Sequence, residues 1–291
     1  MAQLKNEPGP PLLDRAALPA ILPRHAPSPT RSEPQLNYLA SSWFWGIVGV
    51  IVTLLLWQLV ATLQLLGPQF GPAFSPLSAG LALIELTGNG VLWPHLRDSL
   101  RRVLVGLMFA AGLGIPVGVL IGYYRLADAA SGVVFQFLRM ISPLAWMPIA
   151  IIALGVGDYP IYFLIAVASI WPFILNTAHG VSRVDPLWVR VARNLGAGEV
   201  TVLYRVIVPA IIPDILTGLR LAIGMAWVML VPDEMLGVSS GIGYFILDTR
   251  DRFRYDQLMA AILTIGLIGY LLDGLVKTVQ RRYSWTIQED K

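Results

Sequence analysis

Apolar residues in this chain come in long runs that polar residues interrupt only at intervals. The runs lie at about 43–66, 96–123, 131–156, 160–176, 213–236 and 257–279, most of them near or above 18 residues. A helix rises 1.5 Å per residue, so ~20 apolar residues cross the ~30 Å of hydrocarbon in a bilayer. Barrel strands would instead show ~10-residue segments of strict alternation. The pattern predicts an all-α membrane protein with about six transmembrane helices.

Features inside the runs refine this picture. Gly114, Gly118 and Gly122 recur every four residues, so they share one helix face and admit close packing by a neighbour. Pro143 and Pro148 interrupt the third run. They remove backbone donors and bend the helix, leaving either a packed kink or freed carbonyls that line a cavity. The connection 67–93 carries an amphipathic turn near 81–85. Residues 1–40 are proline-rich and aperiodic, which predicts a disordered cytoplasmic tail. They hold no apolar core of a cleavable leader, so the run from Trp43 is expected to span. The membrane domain is placed at 41–283 and a short cytoplasmic tail at 284–291.

Composition agrees with the pattern. The chain is 56% hydrophobic and only 13% charged, with mean hydropathy +0.66. A soluble domain carries about twice that charge. Cysteine is absent, which excludes a disulfide framework and a thiolate metal site. His25, His95 and His179 are too scattered to form a ligand pair. With the N-terminus inside, 13 Lys and Arg residues fall on cytoplasmic segments and six outside, in accord with the positive-inside rule. Both termini are then cytoplasmic. Arg139 and Arg220 are left at membrane depth, and the third helix is expected to begin along the inner interface and cross after Pro143.

The segment 184–209 lies between two spans and is polar, basic and regular. Pro186 sits where a helix begins, at a position that needs no N–H. Ala192, Gly196 and Ala197 then share one small-residue face, and Arg190, Arg193 and Asn194 a polar one. Pro209 and Pro213 turn the chain back toward the membrane. Further polar candidates are spread along the later spans. Asn176, Thr177 and His179 close the fourth run, as a polar exit or as a helix cap. Arg220 lies two turns into the fifth, as an electropositive element or a snorkelling side chain. Asp233 and Glu234 stand near its outer end, where a gate or a pairing with Arg250, Arg252 or Arg254 is expected. A glycine-rich loop, 237–244, follows as an expected re-entrant turn. No lysine follows a glycine in a phosphate-loop pattern, so any ATP site belongs to another chain. No clustered acids or histidines point to an enzyme.

Val191-Ala192-Arg193-Asn194-Leu195-Gly196 followed by Ile207-Val208-Pro209 resembles the cytoplasmic coupling loop of ABC importer permeases. The order of this loop, Ser142–Pro148 and Pro209–Gly224 resembles the nitrate/sulfonate/taurine/bicarbonate group of those permeases. Val191 departs from the small or acidic residue many members have there, and Asp233 from a small one. The resemblance implies a type I importer fold, with a second and probably identical permease subunit across a central path. It implies an extracytoplasmic substrate-binding protein and a cytoplasmic ATPase dimer. ATP and magnesium would sit on that partner, with no cofactor on this chain and no nucleic-acid partner. Pro186, Arg190, Ala192, Arg193, Asn194, Leu195, Gly196, Ala197 and Pro209 would contact the ATPase. Pro143, Pro148, Asn176, Arg220, Trp227 and Glu234 are the candidates for the path of a small anion or zwitterion, with nitrate or an organosulfonate favoured and bicarbonate or taurine next. The bacterial inner membrane is the implied location. The competing class is an ATP-independent secondary transporter of a small anion.

Overall fold

The computed structural model describes residues 38–65, 67, 71 and 73–288, without the side chains of 38–43, 125 and 282–288. The proline-rich stretch 1–37 lies outside the described residues, as do the last residues of the predicted C-terminal tail. Two compact units are present, one ending at Val52 and one beginning at Thr53. The described part of the first is the apolar start of helix α1 (Tyr38–Thr62).

The second unit is built of helices joined by short turns, with no strand among its described residues. After α1 come α2 (Pro76–Gly88), α3 (Leu92–Tyr123), α4 (Arg125–Met140), a 3₁₀ turn (Pro143–Trp146) and α5 (Met147–Leu154). Then follow α6 (Asp158–Ser182), α7 (Pro186–Asn194), α8 (Glu199–Val202), a π turn (Leu203–Ile207), α9 (Val208–Ala210), α10 (Ile212–Gly237), α11 (Ile242–Asp251) and α12 (Tyr255–Gln288). Among the described residues, five helices are long and apolar enough to span a bilayer, or six if the bent pair α4–α5 counts as one.

Helices α3, α6 and α10 form the centre. Val103, Leu107 and Ala110 meet Ile161, Ile165 and Phe173, with Ala222, Ala226 and Leu230 closing the cluster. Lipid is as apolar as these side chains, so close approach rather than water exclusion holds spans together. The glycine stripe on α3 supplies that approach. A Cβ at Gly118 would come within 2.7 Å of the Ile174 carbonyl oxygen and of Thr177 Cβ, and one at Gly122 within 2.6 Å of the Ala178 oxygen. The predicted face is therefore the seam between α3 and α6. Gly106, two turns earlier than Gly114, belongs to it as well.

Three elements differ from the sequence reading. The stretch near 81–85 is part of a full helix, α2, started by the Ser75 side chain accepting from Ser78 N and by Pro76 in the first turn. The third span breaks before Pro143, with an 84° bend between 126–140 and 143–154. Pro148 is not a kink but lies in the first turn of α5, where its missing N–H costs nothing. The glycine-rich loop leads into α11 rather than a simple re-entrant turn, and Ile242 and Phe245 bury it against Leu92, Leu96 and Ala260.

Candidate functional site

The polar segment after α6 folds as a short helix with both ends capped. Asp185 accepts from Leu187 N at 2.8 Å, and Pro186 opens the first turn. At the other end Gly196 adopts φ +86, its N–H reaching Arg193 O, while Ala197 N reaches Ala192 O at 3.0 Å. That is the paired closure a left-handed residue after a helix permits. Gly196 is thus required by backbone conformation.

On α7 the two alanines of the small-residue face turn inward, while Arg190, Asn194 and Gly196 stay exposed. Ala192 and Ala197, with Val189, turn inward onto Val181, Val202, Ile207 and Ile211. The small residues let the segment lie close against its own chain. Facing away are Leu187, Trp188, Val191 and Leu195, the last 83% exposed. Spaced at i, i+1, i+4 and i+8, they form one apolar stripe. Arg190 and Asn194 are exposed beside it, and Pro209 is exposed farther on. Leu187 and Trp188 were absent from the predicted contacts, although their helical spacing with Val191 marks the stripe in the sequence.

Arg193 is turned to its own chain. Its Nη2 lies 2.9 Å from Glu199 Oε1 and donates at 2.9 Å to Tyr123 Oη, while that hydroxyl donates to Glu199. The last residue of α3 is so tied to the end of α7. The Tyr123 hydroxyl and the Arg193 guanidinium hold the Glu199 carboxyl below the usual carboxylate range, and Glu199 pushes Arg193 up.

A cavity of about 650 Å³ lies along α10. Thr217, Arg220, Leu221, Gly224, Met225 and Val228 line it from one helix face, with Pro143, Asp273 and Gln280 opposite. Of the predicted path residues, Pro143 and Arg220 are brought together here. Arg220 Nε donates to Asp273 Oδ1 at 2.8 Å. The other four lie elsewhere. Pro148 is exposed in α5, and Asn176 donates to the Pro172 carbonyl of its own helix. Trp227 donates to Ile265 O at 3.1 Å, its ring filling the space over Gly269.

Glu234 is buried in a separate network toward the other end of α10. Arg102 Nη1 lies 2.6 Å from Glu234 Oε1, and Ser99 Oγ and Gly243 N also donate to this carboxylate. Arg102 reaches Asp158 on α6 and the Ser240 carbonyl as well. Burial against these donors makes Glu234 a structural counter-ion. The expected arginines pair locally instead, Arg250 with Asp251, Arg252 with Asp248 and Arg254 with Asp256. Arg102 is one of the six arginines assigned to outer segments by the charge pattern. Yet it continues the four-residue spacing of Gly106, Gly114 and Gly118 backward, which marks it as a buried position.

The bundle of long apolar helices defines a multi-pass helical membrane protein. Residues 114–285 match the family model described as the binding-protein-dependent transport system inner membrane component. The chain is a member of that family, the permeases of ABC importers. The bicarbonate transport system permease CmpB of Synechocystis is 35% identical over 244 residues, 81% of this chain and 86% of that one. The taurine transport system permease TauC of Escherichia coli is 32% identical over 253 residues, 82% and 91% of the two chains. Among solved structures, the inward-facing MetNI methionine ABC transporter matches with TM-score 0.57 at 15% identity, over 67% of this chain and 98% of the other. That likeness assigns the type I importer permease fold.

Proposed function

We propose that this chain forms the membrane path of an ATP-driven importer for a small anion or zwitterion and takes its power stroke through α7. The supporting observation is the outward apolar stripe Leu187–Trp188–Val191–Leu195 on a doubly capped helix. A helix of nine residues cannot span a bilayer, and the exposed Trp188 and Leu195 have no cover among the described residues. The occupant is a groove on a cytoplasmic ATPase that carries ATP and magnesium. Arg190 and Asn194 supply the polar rim.

A push on α7 reaches the spans by two routes. One runs through the cluster Val189, Ala192, Val202, Ile207 and Ile211 to the start of α10. The other runs through Arg193 and Glu199 to Tyr123 at the end of α3. A second, identical subunit would complete the path along α10, and an external binding protein would deliver the substrate. The bacterial inner membrane is the proposed location, with both termini inside.

The test is affinity purification of the native chain and of Trp188→Glu in mild detergent, scored for a co-purifying ATPase. Gly196→Glu is a poorer probe, because a side chain at φ +86 strains the cap itself. Co-purification with the native chain and its loss in Trp188→Glu supports the docking face. No ATPase with either chain overturns it in favour of ATP-independent transport.

A further inference from the structure

We infer that the cavity between the end of α3 and the π turn seats an acyl chain of an anionic phospholipid, with the lipid phosphate on Arg205. The permease reading above decides only which leaflet supplies the lipid, the inner one. The site adds a lipid to the route from α7 to α3.

The cavity measures about 500 Å³, a size at which pockets hold ligands. Pro116, Val119 and Leu120 form one wall, and Val200, Leu203 and Val208 the other. Both walls owe their shape to the backbone. Pro116 lies inside α3, where its ring crowds the carbonyl four residues back and donates no helix bond. On the opposite wall Leu203–Ile207 winds as a π turn, an irregularity frequent at functional sites. Two main-chain departures, rather than a missing side chain, set this space.

The chemistry of the lining favours an apolar occupant. Glu199 is its one charged side chain. That carboxylate is already met by the Tyr123 hydroxyl and by Arg193, a pairing neutral in sum. Tyr123, Tyr124 and Tyr204 also line the cavity, the latter two exposed. Tyrosines gather where hydrocarbon gives way to headgroups. Tyr123 is the last residue of a span, so the cavity lies where a membrane surface brings acyl chains to it.

The charge of the headgroup follows from Arg205. It neighbours Tyr204 on the π turn, is exposed, and makes no ion pair or hydrogen bond among the described residues. Arg193, by contrast, is engaged by Glu199. A free cation beside the rim favours a phosphate whose headgroup carries no ammonium. A chain seated here touches both Tyr123 and Glu199, and so braces the tie between α7 and α3.

The test is photo-cross-linking of the full-length chain in phosphatidylcholine nanodiscs. These carry a trace of phosphatidylglycerol or phosphatidylcholine with a diazirine at the end of one acyl chain, and adducts are mapped by mass spectrometry. In the native chain, phosphatidylglycerol adducts should concentrate in 115–124 and 199–208, about fivefold above phosphatidylcholine, the effect of one arginine near an anionic surface. Arg205→Gln should abolish that preference. Val200→Trp, at an exposed lining position, should lower adducts in both segments for both lipids. Arg97→Gln, exposed near the start of α3, should change nothing.

Equal labelling by the two lipids in the native chain would overturn the inference, as would a preference that survives Arg205→Gln. Adducts spread evenly over the exposed apolar faces of the spans would do the same. So would the absence of adducts in both segments, the result expected if a second copy of the chain fills the cavity. ATPase co-purification is scored on the same samples. An ATPase bound without a lipid preference removes the lipid site alone, and a lipid preference without an ATPase removes the permease reading alone.

Discussion

Arg102 on α3 and Glu234 on α10 meet at 2.6 Å with 2% and 0% of their side chains exposed. Ser99, Gly243 N, Asp158 and Ser240 complete the network. The pair therefore binds three spans and the loop before α11 into one unit.

Breaking such a pair leaves an uncompensated buried charge. Arg102→Met should lower stability by about 3–5 kcal/mol. Arg254→Met, at an exposed pair, should cost under about 1 kcal/mol. Thermal unfolding in detergent, read for both variants, checks the contrast. Equal shifts would show that the buried network carries no special stability.

Asp233 is the neighbour of Glu234 and has the opposite environment. Both its carboxylate oxygens are buried without a hydrogen-bond partner among the described residues. It shares a helix face with Ala226, Leu230 and Gly237, all buried. Asp233→Val puts a compact apolar side chain there and removes the unmet polar atoms, so it should stabilise the chain by about 1–3 kcal/mol. A lower melting temperature in this variant would show that the carboxyl has a partner in the assembled transporter.

Gly118 lies where α3 touches α6, with no room for a methyl group. Gly118→Ala should separate the helices and cost about 1–3 kcal/mol. Gly112, on the same helix with open space around it, should tolerate alanine. Melting temperatures of the two variants decide this.

The tie between α7 and α3 depends on pH through Glu199. Its carboxyl is held below the usual range in the folded chain, so its contribution is present above the ordinary carboxylate pKa, ~4.3. That contribution is lost as the pH falls through the depressed folded value. Hydrogen exchange over 186–199, corrected for intrinsic rate, should rise on acidification in the native chain and be already raised at neutral pH in Tyr123→Phe. A flat native profile would mean the tie does not order α7.

The spans, the glycine seam and the capped helix α7 were legible in the sequence because each follows from local periodicity or backbone chemistry. Gly114, Gly118 and Gly122 announce a face, and Pro186 announces a helix start. What local pattern does not show is which surface a face meets. Ala192 and Ala197 were expected to point outward, and only the cluster at Ile207 and Ile211, brought back by the π turn, explains why they point in. Pairing across distance was illegible for the same reason. Glu234 chose Arg102, 132 residues away, over the nearer arginines. Asp273, the partner of Arg220, lies in the run 257–279, where nothing local points to a partner 53 residues earlier.

The central claim is that the outer face of α7, and not its small-residue face, seats the ATPase. The chain contains no cysteine, so single cysteines report cleanly. The decisive measurement is cross-linking of Val191→Cys and Ala192→Cys chains in native membranes with a short thiol-to-amine reagent, followed by identification of the adducts. The account predicts an ATPase adduct at position 191 whose yield changes with ATP, and none at 192. An adduct at 192 with none at 191, or no ATPase adduct at either, would contradict it.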